Sequence, residues 1–285
     1  MGWQKRILAF CVLGVLLGAA RADTATVLLA AGDIGQCGSP GTALTAALLR
    51  QQPGAILALG DLAYRDGSAE EFRRCYDPYW GPFKARTHPV PGNHDYRTPE
   101  AAGYFAYFGA RAGDPARGYY SFNLGAWHIV ALNSNRELEP GSPQLQWLDA
   151  DLRAHRQRCV LAYWHHPRYS SGLHGSDPRT QALWQSLYRH GVSIVLGGHD
   201  HHYERLLPIN DRGERDDARG VRSFVVGSGG AKRYELKETH PLSIVRDNTT
   251  WGVLKLTLHE ASYEWAFLPV TGGVRDQGAA TCVAR

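Results

Sequence analysis

Apolar positions along this chain follow two rhythms. Short unbroken runs recur, and between them lie segments whose apolar residues return every three or four positions. The first rhythm suits strands buried on both faces, the second amphipathic helices. On this basis residues 26–31, 55–59, 127–132, 159–164 and 193–196 are predicted strands, and 88–91 leads into a turn. Residues 42–51, 69–75, 143–155 and 179–190 are predicted helices. Residues 251–258 and 262–268 alternate with period two and predict a closing hairpin. Strands alternating with helices, then antiparallel material, make an α/β fold.

Five of these segments end in similar turns. The turns read Gly32-Asp33, Gly60-Asp61-Leu62-Ala63-Tyr64, Gly92-Asn93-His94-Asp95, His165-His166-Pro167 and Gly197-Gly198-His199-Asp200-His201. One Gly-Asp after a strand is an ordinary turn. Two histidines in a glycine turn, taken alone, read equally well as a surface cluster. Five strand-end turns that all present Asp, Asn, Tyr or His point to one site, because sites in α/β sheets form outside the carboxyl ends of strands. Asp33, Asp61, Tyr64, Asn93, His165, His199 and His201 supply seven donors. If one carboxylate bridges, they give each of two metals four protein bonds and leave room for water and substrate. Oxygen and nitrogen donors without thiolate suit hard or borderline first-row ions.

Composition adds the compartment. A basic start, an apolar run over 7–20 and Ala20-Arg21-Ala22 read as a signal peptide over 1–22. The mature chain is then 23–285, a single catalytic domain that is secreted, periplasmic or extracellular. The leader holds three of the 31 basic residues, so against 27 acidic ones the remainder is nearly neutral. No basic block suggests nucleic acid, and no second apolar stretch suggests a membrane span. Cys37, Cys75, Cys159 and Cys282 remain, an even number that in an exported chain favours two disulfides. Spacing leaves three connectivities open. Cys37–Cys75 is expected because the cysteines come after neighbouring ligand turns, and Cys159–Cys282 because it ties down a tail. Residues 211–222 read as a charged, solvated loop.

The five blocks, in order from Asp33 to Arg205, resemble the calcineurin-type metallophosphoesterases, and among them most closely the purple acid phosphatases. The resemblance implies a β-sandwich flanked by helices (α/β/β/α), with ligands on loops at strand C-terminal ends. It implies ferric iron at Asp33, Asp61, Tyr64 and His201, and Fe(II), Zn or Mn at Asp61, Asn93, His165 and His199, with Asp61 bridging. Gly35 stands where the wider superfamily usually has a histidine, and Tyr64 supplies the missing donor. His94 and His174 match positions that meet phosphate or the leaving group, while His166 and His202 suit supporting roles. The implied activity is hydrolysis of phosphate monoesters on small substrates, by in-line attack of a metal-bound hydroxide with His94 as general acid. Phosphodiester hydrolysis, or phosphate binding without turnover, are the alternatives. No protein partner is implied. With Asp33 so near the cleavage point, the N-terminal sandwich domain of larger relatives is not expected.

Overall fold

The computed structural model describes Met1 and residues 25–285, so the signal peptide read over 1–22 falls, Met1 apart, outside the described residues. From there the chain runs β1 (Thr26–Ala31), β2 (Gly35–Gln36), α1 (Gly41–Arg50), β3 (Ala55–Leu59), β4 (Ala63–Tyr64), α2 (Ala69–Glu71), α3 (Asp77–Trp80) and β5 (Thr87–Val90). It continues through α4 (Ala102–Phe108), β6 (Tyr120–Leu124), β7 (Trp127–Ala131), α5 (Pro143–Ala154), β8 (Cys159–Tyr163), α6 (Gln181–Arg189) and β9 (Ile194–Gly197). The remainder is β10 (Tyr203–Leu206), β11 (Arg222–Val226), β12 (Ser243–Asp247), β13 (Gly252–Leu258), β14 (Ser262–Pro269) and β15 (Asp276–Thr281).

Two sheets result. One has the order β15-β14-β13-β1-β3-β5, the other β12-β10-β11-β9-β8-β7-β6. Strands β1, β3 and β5 are parallel, as are β7, β8, β9 and β11. The expected hairpin is present, with Leu256 opposite Trp265 in the β13–β14 ladder. Alternation along the second sheet divides its side chains between two layers. Ile129, Ala131, Leu161, Tyr163, Ile194 and Leu196 join β1, β3 and α1 in one apolar cluster. Their neighbours Val130, Val160, Ala162 and Val195 join Leu145, Leu148 and Leu152 of α5 and Leu183, Trp184 and Leu187 of α6 in another. The sheets therefore pack on each other with helices outside, the α/β/β/α arrangement. No helix among the described residues is long and apolar enough to cross a membrane.

The helix predicted over 69–75 is interrupted. Ser68 and Glu71 form a capping box that starts α2, but the helix loosens into a wider turn over Phe72–Tyr76 before α3 restarts with Pro78 in its first turn. Pro78 has no N–H to continue the preceding ladder. Cys75, within that wider turn, bonds Cys37, and Cys159 bonds Cys282, both as expected from the sequence. The second bridge closes a loop of 123 residues and ties β8 to the segment after β15. Replacing Cys159 and Cys282 by serine is expected to lower stability by about 2–5 kcal/mol. Urea unfolding of the two proteins measures this, and an unchanged midpoint would show that the strand ladder alone holds the tail.

Candidate metal centre

Loops leaving β1, β3 and β5 of one sheet meet those leaving β8 and β9 of the other. Backbone bonds join them: Asp33 N–H donates to Gly60 O at 3.0 Å, and Gly198 N–H to His165 O at 2.9 Å. Gly32 N–H crosses between sheets to Val226 O at 2.8 Å. Asp33, Asp61 and His199 adopt left-handed backbone conformations, with φ of 60°, 51° and 69°. Such angles are uncommon outside glycine and concentrate where a fold aims side chains at a site. Gly92 is required by proximity, since a Cβ there would lie 2.1 Å from Asp61 Oδ1. Gly35 explains the departure from the wider superfamily. It pairs with Ala63 in the small β2–β4 ladder, and a Cβ would stand 2.5 Å from Leu62 O. No histidine fits there, while Tyr64 on the facing strand reaches the centre.

All seven sequence-derived donors come together. Tyr64 Oη lies 2.8 Å from Asp33 Oδ1, 3.2 Å from Asp61 Oδ2 and 3.0 Å from His201 Nε2. His165 Nε2 lies 3.3 Å from Asp61 Oδ2, 3.1 Å from Asn93 Oδ1 and 3.2 Å from His199 Nδ1. Asp61 Oδ2 is thus common to both groups. The other carboxylate oxygen, Oδ1, accepts from His94 N–H at 2.7 Å. Two imidazoles are oriented by carbonyls behind them: His165 Nδ1–H donates to Leu59 O at 2.9 Å and His201 Nδ1–H to Lys232 O at 2.5 Å. Each then turns Nε2 to the centre, as a metal-binding histidine does.

This array is rich in acceptors. One phenolic hydrogen faces two carboxylates and an imidazole nitrogen, so it satisfies one of them. A pair of cations satisfies both groups at once, and the donor set fits them. The electrostatics point the same way. Burial acts to raise the Asp61 carboxyl, but the His165 charge and hydrogen bond outweigh it and hold it far below the usual range. Burial acts to lower His165, and the Asp61 carboxylate overcomes this and raises it to about 9. Burial and then His165 push His199 well down, favouring its neutral, ligating form. Burial, followed by the charges of Asp33 and Asp61, raises Tyr64 well above an ordinary phenol.

His94 and His174 flank the array. His94 Nδ1 bonds Arg65 O at 2.6 Å and its Nε2 lies 3.9 Å from Asp61 Oδ2. His174 is exposed and its ring lies 4.3 Å from that of His199. The His174 loop is held by Asp200, whose carboxylate accepts from His174 N–H at 2.8 Å and Gly175 N–H at 3.1 Å. His166 and His202 are occupied elsewhere, by Ser134 and Glu204. Burial and then the His165 charge push His166 down to about 3. Asp95, the last residue of the third block, accepts from Gly92 N–H at 2.8 Å and Leu62 N–H at 3.2 Å, clamping two ligand loops together.

The cavity over this array measures about 520 Å³. Its lining includes Gln36, Arg65, Arg97, Lys232 and Tyr234, none of which the sequence pattern identified. Tyr234 stacks on His201 with ring centroids 3.8 Å apart. A signal for Lys232 and Tyr234 was present: the run Ser223-Phe224-Val225-Val226 ends in Gly227, and four of the five ligand-bearing turns likewise carry glycine.

The profile of the family described as calcineurin-like phosphoesterase matches residues 26–203. Purple acid phosphatase 15 of Arabidopsis thaliana is 32% identical over 221 residues, which cover 64% of this chain and 41% of the relative. Purple acid phosphatase 21 of the same plant is 30% identical over 267 residues, 82% of this chain and 58% of the relative. The chain spans about half the length of these curated relatives. The solved purple acid phosphatase PPD1 from yellow lupin (Lupinus luteus) seeds aligns with a TM-score of 0.76 at 20% identity. That alignment covers 91% of this chain and 54% of the lupin one, and it speaks for the fold.

Proposed function

Because the chain belongs to the calcineurin-like phosphoesterase family, we propose that it is an exported, dinuclear metal-dependent phosphatase acting on phosphate monoesters, with residues 23–285 as one catalytic domain. The observation that carries this reading is the pair of acceptor groups sharing Asp61 Oδ2. Asp33, Asp61, Tyr64 and His201 hold one ion, ferric iron by the hardness of a phenolate donor. Asn93, His165 and His199, with Asp61, hold the other, a divalent Fe, Zn or Mn. Bound there, the ions supply Lewis acidity toward phosphoryl oxygens and lower the pKa of water. Two disulfides and the leader sequence support export.

The chain's own contribution is positioning and proton delivery. The Arg65 carbonyl occupies His94 Nδ1–H, so a proton for the leaving group must sit on Nε2, and the acid is the doubly protonated imidazole. His94 N–H fixes the Asp61 carboxylate at the same time, placing the acid and the shared ligand in one rigid unit. Asp200 holds the loop that presents His174 at the cavity wall. The test is phosphate release by metal-loaded protein from 4-nitrophenyl phosphate, run beside its bis(4-nitrophenyl) diester with metal analysis. Monoester turnover that needs both metals supports the reading. Cleavage of the diester alone would make it a phosphodiesterase, and no turnover of either would leave a binding protein.

His94→Ala is expected to slow esters with poor leaving groups by roughly 10²-fold, and those with good ones far less. Metal content should be unchanged, since His94 is no ligand. A leaving-group series measures this; equal losses across it, or lost metal, would assign His94 a different role.

A further inference from the structure

The cavity floor is the acceptor array, but its mouth is cationic. Arg65, Arg97 and Lys232 line it. Their placement is built into the backbone of the site. Arg65 O accepts from His94 Nδ1–H at 2.6 Å, Lys232 O accepts from His201 Nδ1–H at 2.5 Å, and Arg97 N–H donates to His94 O at 3.2 Å. Lys232 N–H is pinned further by Gln36 Oε1 at 2.7 Å, and Arg65 N–H by the Glu71 carboxylate. Arg97 is partly neutralised by Asp66 at 3.6 Å. Among the described residues, neither the Arg65 guanidinium nor the Lys232 ammonium is paired with a carboxylate. Two unpaired cations are therefore held by main-chain bonds to imidazoles on different sides of the site.

Two purposes could explain cations in this place. They could offset the carboxylates of the floor. Yet a ferric and a divalent ion outweigh two carboxylates and a phenolate, so a loaded floor is positive and the mouth adds like charge to it. The other purpose is an anion longer than one phosphate, with one end on the floor and the other at the mouth. Resting on the phosphatase reading above, we infer that the preferred substrate carries a second phosphate, which Arg65 and Lys232 bind while the first is hydrolysed. The substrate class is small molecules bearing two phosphates, as separate esters or as an anhydride. Phosphate groups suit these partners, because guanidinium binds them bidentately and ammonium as a point charge.

The test compares binding with turnover. Isothermal titration of metal-loaded protein uses butane-1,4-diphosphonate beside butylphosphonate, neither of which can be hydrolysed. Wild type is expected to bind the diphosphonate at least tenfold more tightly, with the advantage shrinking as salt rises. In the Arg65→Gln/Lys232→Gln variant the ratio should fall toward one. A wild type without the advantage, or a variant that keeps it, overturns the inference. Turnover then identifies the source of the second phosphate. A higher kcat/KM for fructose 1,6-bisphosphate than for fructose 6-phosphate indicates separate esters, and a higher one for pyrophosphate an anhydride. Diphosphonate preference without release of phosphate from any of these would overturn the hydrolase reading and keep the second-phosphate site.

Discussion

Asp61→Asn is expected to cut phosphate release by a factor on the order of 10³ and to leave the protein short of its two metals. The two oxygens of Asp61 have different uses. Oδ1 accepts from His94 N–H at 2.7 Å, a bond that an asparagine carbonyl keeps. The amide nitrogen then takes the place of Oδ2, the atom 3.2 Å from Tyr64 Oη and 3.3 Å from His165 Nε2. An N–H₂ group there is a donor with no lone pair for a cation, and the negative charge shared by both ions is gone. Gly92 packs against the same side chain, so the amide has little freedom to rotate into a better arrangement. Elemental analysis and phosphate release measure both effects. Two retained metals with a rate within tenfold of wild type would show that Asp61 does not bridge.

Tyr64→Phe should bleach the colour of iron-loaded protein and weaken iron binding by about 10–100-fold. A phenolate on ferric iron gives a ligand-to-metal charge-transfer band, and Tyr64 Oη is the one phenolic oxygen among the described residues that touches Asp33, Asp61 and His201 together. Phenylalanine keeps the ring, which packs against His94 at 4.6 Å, and removes only the oxygen. The fold should therefore survive, as circular dichroism will show. A tyrosine that merely fills space predicts unchanged absorbance and iron content. A colourless iron-loaded wild type would instead favour two zinc or manganese ions.

The donors were legible because most of them lie just beyond a strand buried on both faces, where a continuous apolar run ends abruptly in a turn with a polar side chain. β1, β3, β8 and β9 are of that kind, and their predicted ends lie within a residue or so of the observed ones. β6 and β12 were missed because they are edge strands of the second sheet, with half-exposed polar positions that give no apolar run. β10 was missed for a different reason. Glu204 lies in the middle of it, wholly buried, and reads as polar although its carboxylate accepts from Ser171 N–H at 2.8 Å and pairs with His202 at 3.0 Å. Pattern reading cannot distinguish a satisfied buried carboxylate from an exposed one. The mouth of the cavity was hidden more thoroughly. Arg65 and Lys232 are 167 positions apart in sequence order, and tertiary contacts, among them the bonds of their carbonyls to His94 and His201, bring them to one opening.

The carboxylates of the site come from one sheet and the imidazoles His165, His199 and His201 from the other. Ions held between them would act as rivets across the seam of the sandwich, since neither half of the chain carries a full coordination shell. Whatever binds only the assembled form adds to its stability by mass action, about 2.7 kcal/mol at a hundred times the dissociation constant. If the ions bind as proposed, metal-stripped protein is expected to be cut by added protease faster than metal-loaded protein.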